Sequence, residues 1–487
     1  MELDLGLDPD DADRLPRLAL LAPLKTARAR SRAIRIVWHD SPDRALARHG
    51  LALAEQRPGW RLEQLHPDTQ SWPPGLPPPV LATARDPATL GHALPDPLVP
   101  AAAFDGRSLH LALADQQGPM TLTLLTGTVH TVAGGHRISR LALAGAETSV
   151  QALAVALSGE LRLQVPRASL AAEALAIASG VPPPPRRQGA AELPAGLSVA
   201  AAFSHVVGHL TDVILYFAPI AAADRDSTEP VHQMRVAVRR LRSAIKVFRP
   251  AVRSPAVDAV DAGLKALAAK LAPTRDWDVF VTETLAAVID AFPAETRLQR
   301  LSTVAERRRQ HCHDGLRAFL HAAEFRRLAI ELACLAGGHE WQANLGETEH
   351  FELGMPLEEF TARVLNRRLK RLSPADDDLA GLAPAELHAL RLRAKRLRYA
   401  AEIFAPLHAG KPASRFIRRL ATLQTRLGVL NDGAVARILL HELAGTSGSL
   451  AFASGLVMGF VGAHGSRGHA RFARAWQKFH SAAPFWQ

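Results

Sequence analysis

Two stretches of this chain carry basic residues at a spacing able to hold a row of phosphates. In VHQMRVAVRRLRSAIKVFRP, residues 231–250, the residues His232, Arg235, Arg239, Arg242, Lys246 and Arg249 step by three and four. On a helix that spacing puts them on one face, about 5–6 Å apart. Like charges so placed destabilise a helix by roughly 0.2–0.5 kcal/mol per pair. The stripe has no acidic residue three or four positions on to relieve the repulsion. An anion would relieve it. Arginine offers a planar fork of donors and lysine a flexible point charge. A row of them suits a linear polymer of phosphates, bound through release of its counterions. Acidic residues on neighbouring elements, such as Asp276 and Asp432, are the other way to balance the charge.

The pattern returns in LHALRLRAKRLRYAAEIFAP, residues 387–406. Here His388, Arg391, Lys395 and Arg398 form the stripe, which breaks at Glu402 and Ala405. The offset is 156 residues, and it also superposes Arg240 on Arg396, Phe248 on Phe404 and Asp276 on Asp432. Such self-similarity implies two helical halves related by duplication, with their repeated helices near a common axis. Beside each stripe runs an apolar seam. The first is Val231, Met234, Val238, Leu241, Ile245 and Phe248; the second is Leu387, Leu390, Ala394, Leu397, Ala401 and Phe404. Ser227 or Thr228 can cap the first helix, Glu229 and Pro230 suit its first turn, and Pro250 and Pro406 mark the ends. His232 and His388 sit at the helix starts, as donors to phosphate or as helix-orienting groups. Neither has a metal-ligand partner at i+4. The triplet His311, Cys312 and His313 would point three ways on a helix, so no metal site or cofactor is expected.

The 487 residues carry 58 Lys plus Arg against 47 Asp plus Glu, a net charge of +11. That charge admits nucleic acid, acidic lipid or polyphosphate as partner. Residues 1–190 hold 19 basic and 18 acidic residues, and residues 191–487 hold 39 and 29. The dividing line is GVPPPPRRQGAAELP, residues 180–194, which no helix or central strand can include. Before it, MTLTLL (120–125), RISRLALA (137–144) and GELRLQV (159–165) alternate as strands do, and SWPPGLPPPV (71–80) reads as a long loop. After it, Ala, Leu and Arg recur at helical spacing. The expected organisation is an α+β domain over 1–178, a Pro-rich linker over 179–194 and an all-α domain over 195–487. Two cysteines build no disulfide framework, and the acidic start MELDLGLDPDDAD is unlike a secretory signal, so a cytoplasmic setting is expected. The uncharged stretch from Leu443 to Ser466 reads as a buried helix pair rather than a membrane span.

Residues 195–487 resemble the CHAD domain, the conserved histidine α-helical domain. The paired H-x-x-R-x-x-x-[RK]-R-L-R segments, the RD and ND turns after them and the tail RAWQKFHSAAPFW carry the resemblance. It implies two antiparallel helical bundles related by pseudo-twofold symmetry, whose basic residues line a pore or groove for inorganic polyphosphate, and association with polyphosphate granules. The implied contacts are His232, Arg235, Arg239, Arg240, Arg242 and Lys246, with His388, Arg391, Lys395, Arg396 and Arg398. Arg307, Arg308 and Arg309, then Arg367, Arg368, Lys370 and Arg371, then Arg418 and Arg419 are further basic clusters able to join them. Residues 1–178 are similar to the CYTH domain, an antiparallel β tunnel that acts on triphosphates, through WHDSPDRALARHGLALAEQR (38–57) and MELDLGL. The departures are large. Gly6 stands where that family has Lys, residues 54–56 are Ala-Glu-Gln instead of R-x-R, and SRLALAG (139–145) carries no carboxylate. A triphosphate tunnel needs carboxylates for its metal and basic groups for its phosphates.

The expected function is therefore non-catalytic polyphosphate binding. The alternative is a metal-dependent triphosphatase that uses Glu2 and Asp4. A nucleic-acid partner is disfavoured, because only 5% of residues are aromatic and neither stripe interleaves them for base stacking.

Overall fold

The computed structural model describes residues 1–65, 73–131, 134–181, 189–224, 226, 228–372, 384–408, 410–444, 450–465 and 468–487. For 384–385, 388, 428–434, 444, 463–465 and 468–471 it describes the backbone alone.

The N-terminal part is one antiparallel sheet. Its strands are β1 (Glu2–Leu7), β2 (Arg30–Asp40), β3 (Leu51–Gln56), β4 (Gly59–Gln64), β5 (Val80–Ala84), β6 (Val99–Asp115), β7 (Gly118–Thr131), β8 (Gly134–Ala144) and β9 (Leu163–Gln164). They lie in the order β5-β4-β3-β2-β6-β7-β8-β1-β9. Helices α1 (Ala45–Arg48), α2 (Glu147–Glu160) and α3 (Leu170–Ser179) complete this part. MTLTLL and RISRLALA fall inside β7 and β8 as their alternation requires. GELRLQV does not form the expected strand: α2 runs to Glu160, and only Leu163–Gln164 pairs with β1. Burial of Val150, Leu153, Ala154 and Leu157 on α2 decides this. Alternation over so few residues cannot outweigh a helical face that already has a core to cover.

Strand parity divides the sheet into two apolar faces. On one, Leu3, Leu5, Leu122, Leu124, Leu141 and Leu143 pack against α2. On the other, Trp38, Phe104, Val129 and Ile138 pack against Ala171, Ala172 and Ala174 of α3. Gly106 and Gly127 pair directly between β6 and β7. A Cβ on Gly127 would come within 2.4 Å of the Asp105 carbonyl oxygen and 2.6 Å of the Phe104 ring. Only glycine lets the two strands fold over that ring.

The C-terminal part is helical. Its first unit is α4 (Val199–Ala223), α5 (Glu229–Val252), α6 (Pro255–Val279), which continues through a π turn at Phe280–Leu285 into α7 (Ala286–Ala291), and α8 (Thr296–His321). The connection contains α9 (Ala323–Gly337) and α10 (Glu347–Gly354). The second unit is α11 (Leu357–Leu372), α12 (Pro384–Phe404), α13 (Lys411–Ala444), α14 (Ala451–Gly465) and α15 (Gly468–His480). The starts of α4, α5, α6 and α8 match those of α11, α12, α13 and α14 at the 156-residue offset to within two residues. The duplication legible in two segments thus covers four helices of each unit. Both seams are buried, with Leu387 partly so, and belong to one core.

Several local expectations change. Arg275 and Asp276 lie within α6, and Asn431 and Asp432 within α13, so the RD and ND pairs are helical rather than turns. Thr228 is the N-cap of α5 but its side chain makes no capping bond; Ser227 lies outside the described residues. α5 continues two residues past Pro250. Of the stretch Leu443–Ser466 the described residues form the end of α13 and α14, which packs on α13 and α8 with Leu443, Ala453 and Val457 buried but Phe452 and Met458 exposed; 445–449 and Ser466 lie outside the described residues. Among the described residues, α4 alone is long and apolar enough to cross a membrane, and it is instead largely buried in the helical core.

The two parts share a packed boundary. Ala329, Ile330, Ala333 and Cys334 of α9 join the leucine core of the sheet. Arg167 donates to both carboxylate oxygens of buried Asp212 on α4, at 3.0 and 3.3 Å, with its guanidinium 4.4 Å from the Tyr216 ring. The segment after the prolines also packs: Ala191 and Leu193 are buried in the helical core, and His209 Nε2 lies 3.3 Å from the Gly189 carbonyl oxygen.

Candidate functional site

Helices α5 and α12 contact each other, and residues in equivalent positions meet. The Phe248 and Phe404 rings pack edge to face at 5.6 Å. Arg240 reaches Glu402 at 3.8 Å. Their counterparts, Arg396 and Lys246, are also brought together: Arg368 donates to the carbonyl oxygens of both, at 3.0 and 3.2 Å. A contact between i and j matched by one between their counterparts is the signature of a twofold interface.

At this interface Arg239 of α5 and Lys395 of α12, again counterparts, flank one ring. The Arg239 guanidinium lies 5.2 Å and Lys395 Nζ 5.9 Å from the centre of Tyr399. Burial pushes the Arg239 pKa down, and Arg235, Arg398 and Arg240 push it the same way. Burial brings Lys395 down to about 8, helped by Arg239, Arg235 and Arg391. Among the described residues no carboxylate lies within ion-pair distance of either side chain. The Arg239 Nε and the Tyr399 hydroxyl are both buried without a hydrogen-bond partner among the described residues. His232 is held towards its neutral form by burial and by Arg275, Arg239 and Arg235. The geometry gathers cations that repel one another and offers an anion the missing charge.

Other stripe residues are neutralised within the protein. Arg242 pairs with Asp261 at 2.9 Å and Arg249 with Asp258 at 2.8 Å, both acids on α6. Arg235 reaches Asp276 at 3.4 Å, as the acidic alternative anticipated. Burial raises the Asp276 pKa against the pull of Arg235 and Arg275. Glu402 accepts from Arg398 at 2.7 Å and lies beside Arg240. The side chains of His388 and Asp432 lie outside the described residues.

The additional basic clusters separate. Arg367 and Arg371 are exposed on α11 beside Arg368, whose pKa burial and the neighbouring Arg396, Arg371 and Arg367 bring down to about 10. Lys370 is exposed on the same helix. Arg307 is exposed on α8, Arg308 pairs with Glu442 of α13, and buried Arg309 joins Asp278 and His313. Arg418 is exposed and Arg419 half-buried on α13. None of these last five is among the charges that act on Arg239 or Lys395. Tyr399 and Arg275 were missed in the sequence. Tyr399 aligns with Ser243, so a search for identities passes it over, and Arg275 lies on a different helix from the stripe.

In the sheet domain Asp4 of the first strand is already paired. Asp4 of β1 lies on the α3 face, where Arg140 of β8 donates to it at 3.3 Å and also to Glu173 and the Ala168 carbonyl. Arg140 sits directly across from Gly6 in the β1–β8 register. Its guanidinium thus occupies the place between acids that a metal would need. Burial raises the Asp4 pKa to about 6, with Arg140 opposing. Glu2 is exposed, and among the described residues no three His, Cys, Asp or Glu side chains are placed to hold a metal. The residues present do not fit a metal-dependent triphosphatase centre.

The chain is similar to the crystal structure of the CHAD domain from the plant Ricinus communis, with 29% identity and a TM-score of 0.52, over 62% of this chain and 98% of that one. PptA from Streptomyces chartreusis aligns at 16% identity over 58% of this chain and 100% of that one, with a TM-score of 0.43. A putative adenylyl cyclase from Hippeastrum, HpAC1, described as having a dominant triphosphatase activity, aligns at 16% identity over 38% and 97%, with a TM-score of 0.26. Those two scores are too low to bear on function. No curated protein matches. The family model of the CHAD domain matches residues 198–441, half of the chain and both repeated helices. The protein belongs to the CHAD-domain family.

Proposed function

We propose that the helical domain binds inorganic polyphosphate without transforming it, and that this binding carries the protein to polyphosphate granules. The observation that supports this most is the meeting of Arg239 and Lys395 at the twofold with, among the described residues, no carboxylate between them. Two desolvated cations of one sign are unfavourable in isolation. A phosphate chain between them supplies charge-assisted hydrogen bonds to both. Arg391 and His232 lie beside this pair, and Arg235 next to it is shared with Asp276. The sheet domain, with Arg140 between its acids, acts as a structural partner of the helices rather than a catalyst.

The test is a binding titration with long-chain polyphosphate over a range of salt. Strong binding whose affinity falls steeply with salt is expected. The double variant Arg239→Glu, Lys395→Glu should lose it while remaining folded. Equal displacement by single-stranded DNA would instead make the site a general polyanion surface, and unaltered binding by the double variant would remove these residues from the site.

A further inference from the structure

The twofold between the repeats has two equivalent edges, and they have diverged. At one edge Arg240 is only 24% exposed in its side chain and lies beside Glu402. Ala190 and Ala191, from the segment after the prolines, wall in a small cavity there with Arg240, Tyr399 and Glu402. Asp212 stands nearby on α4, neutralised by Arg167 from the sheet domain. At the other edge each counterpart is reversed. Arg396 is exposed where Arg240 is covered, Lys246 stands in place of Glu402, and Arg368 in place of Asp212. Arg367 and Arg371 lie beside Arg368 and are exposed. Arg368 itself is fastened to the backbone of both repeated helices. Among the described residues no carboxylate pairs with any of these five cations.

We infer that a phosphate chain leaves the Arg239–Lys395 pair over one edge only, along Lys246, Arg396, Arg367 and Arg371, with Arg368 holding the two helices together beneath it. The opposite edge is closed, because Arg240 and Arg398 are spent on Glu402 and Ala190 and Ala191 wall in Arg240. Binding is thus one-ended, and the sheet domain stands on the closed side, where Arg167 reaches Asp212. This inference rests on the polyphosphate reading and assigns that ligand its path.

The experiment uses the full chain and two probes, long-chain polyphosphate and tripolyphosphate. Tripolyphosphate, only three phosphates long, is expected to need the Arg239–Lys395 pair alone. Arg367→Glu combined with Arg371→Glu alters two exposed side chains and leaves the core intact, which a thermal melt verifies. The variant is expected to lose at least tenfold in affinity for the long chain, to shed about 1.4 from its salt slope, and to hold tripolyphosphate as the parent does. Acylation footprinting of the parent protein should show Lys246 protected by the long chain and Lys265 on α6 unprotected. Long-chain affinity within twofold of the parent, or an unprotected Lys246, overturns the one-ended path while leaving the binding function standing. Failure of the parent protein to bind either probe overturns the function itself.

Discussion

Arg239 and Lys395 hold the same position in the two repeats and face the same ring, Tyr399, from 5.2 and 5.9 Å. Counterparts that meet lie beside the axis relating the repeats. Duplication of a helix with a basic stripe therefore set positive charge against positive charge at the centre of the domain. The two positions are not chemically equal. The arginine is charged at any accessible pH, whereas the lysine titrates.

Binding should accordingly depend on pH through Lys395, whose pKa is brought down to about 8. Its protonated form attracts phosphate, so affinity should fall as pH rises through that value. Lys395→Arg should flatten the fall, which a polyphosphate titration at successive pH values checks. Stability of the unliganded protein should run the other way. Between about 8 and the ordinary lysine value of 10.5 the unfolded chain keeps a proton that the folded chain has released, so stability rises with pH across that window.

Glu402→Gln should tighten polyphosphate binding. The substitution frees Arg240 and Arg398 from their acid and raises the net charge of the interface. It should also steepen the salt dependence. Loss of the charged acceptor should lower stability by ~1–3 kcal/mol, measurable by denaturant unfolding.

Arg140→Met should destabilise the sheet domain by ~3–5 kcal/mol, since Asp4 and Glu173 lose their buried cation. Polyphosphate affinity of the folded fraction should not change. The parent protein should release no phosphate from tripolyphosphate with added Mg²⁺ or Mn²⁺, a colorimetric measurement that a functioning triphosphatase would fail.

Phe248→Ala should cost ~3–5 kcal/mol and more than any seam position away from the twofold. Its ring touches Phe203, Phe360 and Phe404, so one truncation opens contacts in both units.

What was legible in the sequence was whatever helix periodicity writes locally. The seams at Val231–Phe248 and Leu387–Phe404, the stripes one residue behind them and the 156-residue repeat all follow from steps of three and four. The break in charge at the proline run likewise separated sheet from helices. The fate of each charge was not legible, because it depends on partners far away in the chain. Arg242 and Arg249 look identical to Arg239 on the stripe, yet α6 brings Asp261 and Asp258 to the first two and nothing acidic to the third. Gly6 reads as a lost cation until β8 lays Arg140 across from it. The sequence by itself determined which face of each helix is basic. Only the tertiary structure decided which of those charges stay uncompensated, because Coulomb energy depends on distance and burial, and both are set by packing between elements rather than along them.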